Sequence, residues 1–155
     1  MAHTSYFVYQ TPMGRMTLCG TSDALTEAHF GAVECAYEHK ASALTNQAAT
    51  ELQEYLAGKR TQFSVPLQLA GTEFQQQVWS AIQDIEYGKT ATYADIAETI
   101  GNPQAFRAVG MAANRNPLPI FVPCHRVIAT DGTLGGYAGG TKIKEFLVNL
   151  ERTHS

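Results

Sequence analysis

Residues 92–113 read Thr-Tyr-Ala-Asp-Ile-Ala-Glu-Thr-Ile-Gly-Asn-Pro-Gln-Ala-Phe-Arg-Ala-Val-Gly-Met-Ala-Ala, and this stretch decides the fold of the second half of the chain. Thr92 with Asp95 three residues on is a capping pair, Ile96 and Ile100 follow at helical spacing, and Gly101 closes the segment. Asn102 then caps a further helix with Pro103 at its first position, where the missing N–H costs nothing. That helix runs from Gln104 to Ala113. Two short helices joined through a glycine-containing turn make a helix-turn-helix, whose second helix is the one presented to DNA. An ordinary helical hairpin packed in a core carries the same pattern. Two details favour DNA: the second helix is poor in bulk (Ala105, Ala108, Gly110, Ala112, Ala113) and it projects one long cation, Arg107.

Working upstream, Thr72 and Gln75 form another capping box, and Phe74, Val78, Ile82 and Ile85 repeat at helical spacing until Gly88. Residues 62–71 are irregular and contain Pro66, which places a domain boundary there. In the first seventy residues, Tyr6–Gln10 and Met16–Cys19 read as a strand pair about the Thr11-Pro12-Met13-Gly14 turn, with Thr26–Phe30 as a third strand. Residues 45–57 read as a helix ending at Gly58. The expected architecture is a small α/β structural domain over 1–70 and a mainly α domain over 71–155 that carries the helix-turn-helix.

The chain has 155 residues, 45% hydrophobic and 16% charged, which suits one or two small globular domains. It contains no apolar run long enough to span a bilayer and no basic-then-apolar leader, so a cytoplasmic protein with no membrane partner is expected. The net charge of −3 argues against nucleic acid, but the charge is unevenly spread. Residues 99–130 hold Arg107, Arg115 and Arg126 and no acid, a locally basic face that suits modest DNA binding. Cys19, Cys35 and Cys124 are scattered, with no Cys-x-x-Cys pair, which argues against a disulfide framework. His3, His29 and His39 could join Cys19 and Cys35 around a metal, but their spacings match no ligand pattern, so no metal is expected.

Cys124 ends the run Asn116-Pro-Leu-Pro-Ile-Phe-Val-Pro-Cys124-His125-Arg126. Positive neighbours lower a thiol's pKa, and the thiolate is the reactive species, so Cys124 reads as a nucleophile. In an extended segment adjacent side chains point to opposite faces, which makes a direct Cys124–His125 hydrogen bond awkward and a bridging water reasonable. An imidazole base also needs an acceptor to orient it, and Asp131, Glu145 and Glu151 all qualify on spacing. Beyond the turn at Asp131-Gly132, the segment Gly135-Gly136-Tyr137-Ala138-Gly139-Gly140 can bring backbone close to a ligand while the ring walls a pocket.

Taken together, Asn116-Pro117, Pro123-Cys124-His125-Arg126-Val127-Ile128 and Gly136-Tyr137-Ala138-Gly139-Gly140 resemble the O6-alkylguanine-DNA alkyltransferases. The resemblance extends through Val78-Trp79, Tyr87-Gly88, Thr92-Tyr93, Arg107-Ala108-Val109-Gly110 and Lys144-Glu145-Phe146-Leu147 to Glu151, and so covers residues 72–151. Over the first seventy residues it is architectural, to a small ribonuclease H-like domain, and the second domain is expected to be winged-helix-like.

This resemblance implies a repair protein that flips an alkylated guanine out of duplex DNA and moves the alkyl group irreversibly to its own cysteine, once per molecule and without a cofactor. By position, Cys124 is the acceptor, His125 its base through water, and Glu151 the residue that orients His125. Asn116 bridges the helix-turn-helix to the active-site loop. Arg107 enters the base stack from the minor groove and Tyr93 presses the adjacent phosphate. Arg115 and Arg126 join the DNA contacts, while backbone at Cys124, Val127 and Ala138 reads the guanine edge and Tyr137 walls the pocket. The implied partner is duplex DNA carrying O6-alkylguanine, bound by a monomer, with cooperativity along DNA left open. Thr21 and Thr26 stand where certain members carry zinc ligands. A lesion sensor without transfer and a cysteine hydrolase are the alternative readings.

Overall fold

The computed structural model describes residues 4–155 and divides into two compact units, Met1–Ala70 and Gly71–Ser155. In the first, strands β1 (Ser5–Thr11) and β2 (Gly14–Gly20) form an antiparallel hairpin, and β3 (Leu25–Phe30) pairs with the far side of β2. A two-residue strand β4 (Glu38–His39), which the sequence pattern does not announce, runs parallel to β1 and completes the order β3-β2-β1-β4. Helix α1 (Ala43–Leu56) begins two residues before the expected start because Ser42, not a later residue, supplies the cap: its hydroxyl accepts from Thr45 N while Thr45 Oγ1 accepts from Ser42 N.

The central strand β2 is buried on both faces. Leu44 of α1 lies so close to Gly20 that a Cβ there would sit 2.5 Å from its side chain, so Gly20, Leu18 and Met16 share the face covered by α1. Thr17 and Cys19 face the other way, beneath the segment 31–37. Thr17 Oγ1 pins that segment, donating to Gly31 O at 2.8 Å and accepting from Val33 N at 2.9 Å. His39 stacks on Tyr6, and His3 lies outside the described residues.

The second unit is mainly helical: α2 (Glu73–Gln83), α3 (Tyr93–Thr99), α4 (Phe106–Asn114) and α5 (Thr141–His154), with a short parallel pair β5 (Ala91–Thr92) and β6 (Val127–Ile128). Both expected capping boxes form, Thr72 with Gln75 and Thr92 with Asp95. Helix α2 stops at Gln83, short of Ile85, because its last turn tightens to bonds from Asp84 N to Ala81 O and Ile85 N to Ile82 O. Its Trp79 is buried and donates from Nε1 to Ala112 O of α4 at 2.9 Å.

Helix α3 ends in a Schellman motif, with Gly101 at φ 80°, Asn102 N donating to Ala97 O and Gly101 N to Glu98 O. That use of Asn102 corrects the expected start of the next helix. Asn102 O accepts from Ala105 N in a turn that has Pro103 as its second residue, so α4 begins at Phe106 with no side-chain cap. Its exposed face is also less uniformly small than its composition suggests, because Phe106 and Met111 both project outward.

Candidate active site

The segment from Asn116 to Cys124 is folded around one side chain. Asn116 is buried; its Nδ2 donates to Val122 O at 2.9 Å and to Cys124 Sγ at 3.2 Å, and its Oδ1 accepts from Leu118 N at 2.9 Å. Pro123, at φ −80° and ψ 62°, is the centre of an inverse γ-turn in which Cys124 N donates to Val122 O at 2.7 Å. Ile120 holds a positive φ of 76° while fully buried, a costly conformation for a β-branched residue that the surrounding loop must enforce. The chain from Cys124 to Arg126 is then one turn of 3-10 helix and not the extended segment expected.

That turn sends His125 and Arg126 inward. His125 Nε2 lies 2.6 Å from Glu151 Oε2, and Glu151 also accepts from Arg126 Nε at 2.8 Å, from Arg126 Nη2 at 3.0 Å and from Gly88 N at 3.1 Å. Of the three acids that spacing allowed, only Glu151 is buried; Asp131 and Glu145 are exposed. Arg126 is the clearest correction to the sequence reading. It is 8% exposed, and Nη1 donates to Ile85 O at 2.6 Å, so its charge neutralises Glu151 inside the protein and offers little to a phosphate.

Burial pushes the Cys124 thiol up to about 11, against the opposing influence of the Asn116 hydrogen bond and the Lys144 charge. The expected electropositive lowering by arginines is therefore overturned. Cys124 is protonated at rest, and the cation that faces it is Lys144, to which the sequence alone assigns no role. Lys144 is fully buried on α5, donates from Nζ to Val127 O at 2.6 Å, to Gly136 O at 3.2 Å and to Leu134 O, and stands 6.0 Å from the Tyr93 ring centre. Burial lowers it to about 8, with Cys124 opposing. Its signal was present: Lys144 and Glu151 occupy the buried stripe of α5 together with Leu147 and Val148, where a charge is out of place.

His125 is held below the ordinary histidine value by burial, although Glu151 pulls the other way. Neutral at pH 7 and paired through Nε2 to an ionised carboxylate, it carries its proton on Nε2 and keeps Nδ1 as the basic nitrogen. Tyr137 meets the imidazole edge-to-face at 6.5 Å. Tyr93, half-buried, has its hydroxyl raised by burial and then by Cys124, and a Cβ on Gly135 (φ 74°) would lie 2.7 Å from that hydroxyl oxygen. The glycine there lets the loop pass against the ring. Val127 donates from N to Cys124 O and accepts Lys144 at its carbonyl. Ala138, Arg115 and Arg107 are exposed, and the Arg107 guanidinium lies 6.0 Å from the Phe106 ring centre.

The arrangement can therefore hold a protonated thiol beside a neutral, oriented base, under a loop clasped by a buried ammonium. Two family descriptions match the chain: residues 4–69 fit the ribonuclease-like domain of 6-O-methylguanine DNA methyltransferase and residues 73–153 fit its DNA binding domain. The chain is 46% identical over 156 residues to the constitutive methylated-DNA--protein-cysteine methyltransferase of Bacillus subtilis, covering 95% of this chain and 94% of that protein. It is equally identical, over 151 residues, to the methylated-DNA--protein-cysteine methyltransferase of Methanosarcina acetivorans, covering 94% and 97%. The crystal structure of Mycobacterium tuberculosis OGT in complex with DNA superposes with a TM-score of 0.91 at 41% identity, covering 97% of this chain and 94% of that one. With both halves matched and relatives this similar along their whole length, the chain belongs to the 6-O-methylguanine DNA methyltransferase family.

Proposed function

We propose that this protein repairs O6-alkylguanine in DNA by moving the alkyl group to Cys124. The observation that carries this reading is the pairing of a buried thiol, hydrogen-bonded to Asn116, with a His125–Glu151–Arg126 cluster on the next two residues. The names of the similar proteins, which transfer methyl groups from DNA to a protein cysteine, support it.

A thiol held at about 11 is four pH units from ionisation at neutrality, a cost of about 5 kcal/mol that the reaction must meet by removing the proton as the sulfur attacks. Neutral His125 receives that proton through a bridging water, and Glu151 stabilises the imidazolium that forms. The S–C bond forms as the C–O6 bond breaks, and the proton returns from His125 to the departing guanine ring, so thiol and alkylguanine become thioether and guanine. The protein is consumed in one turnover.

Arg107 and the two exposed apolar residues beside it, Phe106 and Met111, lie on the helix that would enter the minor groove. Flipping a base costs a few kcal/mol, which an inserted side chain partly offsets. Arg115, exposed at the end of α4, would meet phosphate, Tyr93 would press the phosphate beside the flipped nucleotide, and backbone at Cys124, Val127 and Ala138 would read the guanine edge beside the Tyr137 wall.

The test is incubation with a duplex containing O6-methylguanine, read by intact mass and peptide mapping. One methyl per chain, on Cys124, is expected. Tight binding with unchanged mass would mean a lesion sensor, and turnover without a modified cysteine would mean a hydrolase.

A further inference from the structure

Outside the reactive centre, the first unit brings three soft donor groups together. Cys19 Sγ and Cys35 Sγ are 3.3 Å apart, and these two sulfurs and a ring nitrogen of His29 all lie within 4.8 Å of one another. Their positions in the chain hide this. Cys19 points away from α1 on the face of β2 roofed by residues 31–37, and Cys35 belongs to that roof. Across the ladder, Cys19 pairs with Glu27 and Thr17 with His29, so Glu27 and His29 project from the same face as Cys19. Glu27 Oε1 is 3.0 Å from His29 Nε2.

We propose that Cys19, Cys35 and His29 form a binding site for a zinc-class divalent ion, with Glu27 as the carboxylate beside the histidine and solvent in the fourth position. Two thiolates and an imidazole are a donor set that selects zinc over hard cations. Bonds of about 2.3 Å to sulfur and about 2.0 Å to nitrogen place tetrahedral donor pairs roughly 3.5–3.8 Å apart. The sulfurs need to open by only a few tenths of an ångström, and the half-exposed His29 ring and the Cys35 loop can supply the movement. A carboxylate beside a ligating histidine is the usual outer partner that fixes its ring. Thr21 and Thr26, which stand at two of the places where certain members carry zinc ligands, take no part in this site.

Binding exchanges protons for metal. Burial raises the Cys19 thiol, and Cys35 and Glu27 raise it further. Zinc binds thiolates, so binding releases protons and its affinity should climb as pH rises. The bound ion would tie the 31–37 roof to the central strand of the sheet.

The experiment uses the full chain, reduced and stripped of metal, in a Cys124→Ser background so that the reactive thiol cannot compete. Zinc is titrated against a chromophoric chelator, and cobalt is used as a spectroscopic probe. The expected result is one zinc per chain, with a sulfur-to-cobalt charge-transfer band and the intense visible bands of a tetrahedral site. Cys35→Ser and His29→Asn, both at partly exposed positions, should each weaken zinc by about 100-fold, and Glu27→Gln by about 10-fold. Zinc should also protect Cys35 from iodoacetamide in the otherwise unaltered protein while leaving methyl transfer to Cys124 unchanged. The proposal is overturned by affinity that is equal in the Cys35→Ser variant, by cobalt spectra lacking the sulfur band, or by no protection of Cys35.

Discussion

Cys19 and Cys124 are both buried thiols, and burial raises both above their ordinary value, yet their surroundings push in opposite directions. Around Cys19 the neighbours are a second thiol and a carboxylate, which deepen its reluctance to ionise. Around Cys124 they are an amide N–H and an ammonium, which relieve it. Burial alone therefore does not distinguish an inert thiol from a nucleophile. What distinguishes them is whether the second contact welcomes an anion on its own or only in the company of a cation from outside.

The largest effect should come from exchanging the two sites' fortunes. Cys124→Ser should abolish methyl transfer, with no modified peptide at any time, while Cys35→Ser leaves the transfer rate within about twofold; loss of transfer in both would end the distinction. Next, Glu151→Gln should slow transfer by about 10²–10⁴-fold, because His125 loses the charge that stabilises its protonated form. It should also lower Tm, since Arg126 is left buried without its anion. A transfer rate that survives would show that His125 needs no carboxylate.

Asn116→Ala should slow transfer by roughly 10–100-fold, the worth of a hydrogen bond to a charged group. It should also move the midpoint of iodoacetamide reactivity at Cys124 above about 11. An unmoved midpoint would make Asn116 a brace for the loop and no partner of the sulfur. The smallest effect is in stability against pH. Lys144 titrates at about 8 in the folded protein and near 10.5 when unfolded, so between those values the unfolded chain binds the extra proton. The Lys144 contribution to stability should rise with pH across that window, opposed above about 9 by Cys19 and Cys124, whose raised thiols keep protons that the unfolded chain loses. The Tm of Lys144→Met should therefore fall more steeply with pH than that of the unaltered protein. His125, held below 6.5, acts at the other end: stability is lost as pH falls through about 6.5, where the unfolded imidazole takes up a proton.

The helix-turn-helix was legible because its determinants are local. A capping threonine, a glycine at the end of α3 and the alternation of apolar residues need no knowledge of the rest of the molecule. Cys124 was legible from the run that contains it, and Glu151 from resemblance, though spacing left it tied with Asp131 and Glu145. The direction of Arg126 was not legible. A single turn of 3-10 helix aims it at Glu151, 25 residues away in sequence, and charge counting cannot tell an arginine facing phosphate from one neutralising a buried acid. Lys144 shows in the sequence only as a charge out of place on the apolar stripe of α5; its partners, a carbonyl of β6 and two of the loop that follows, were not legible. Spacing argues against a Cys19–His29–Cys35 group, but spacing is the wrong measure when sheet register brings the donors together.

Trp79 is the sole tryptophan, buried at the seam between α2 and α4 and bonded through its indole N–H to Ala112 O. The chain thus carries one native fluorophore, wired to the helix that bears Arg107. If α4 shifts when it enters a groove, the indole loses its acceptor and its dry surroundings, and its emission moves to the red. If α4 docks as a rigid rod, the emission holds still while the DNA bends to fit. Unlabelled protein in a fluorimeter would then report which of the two partners yields.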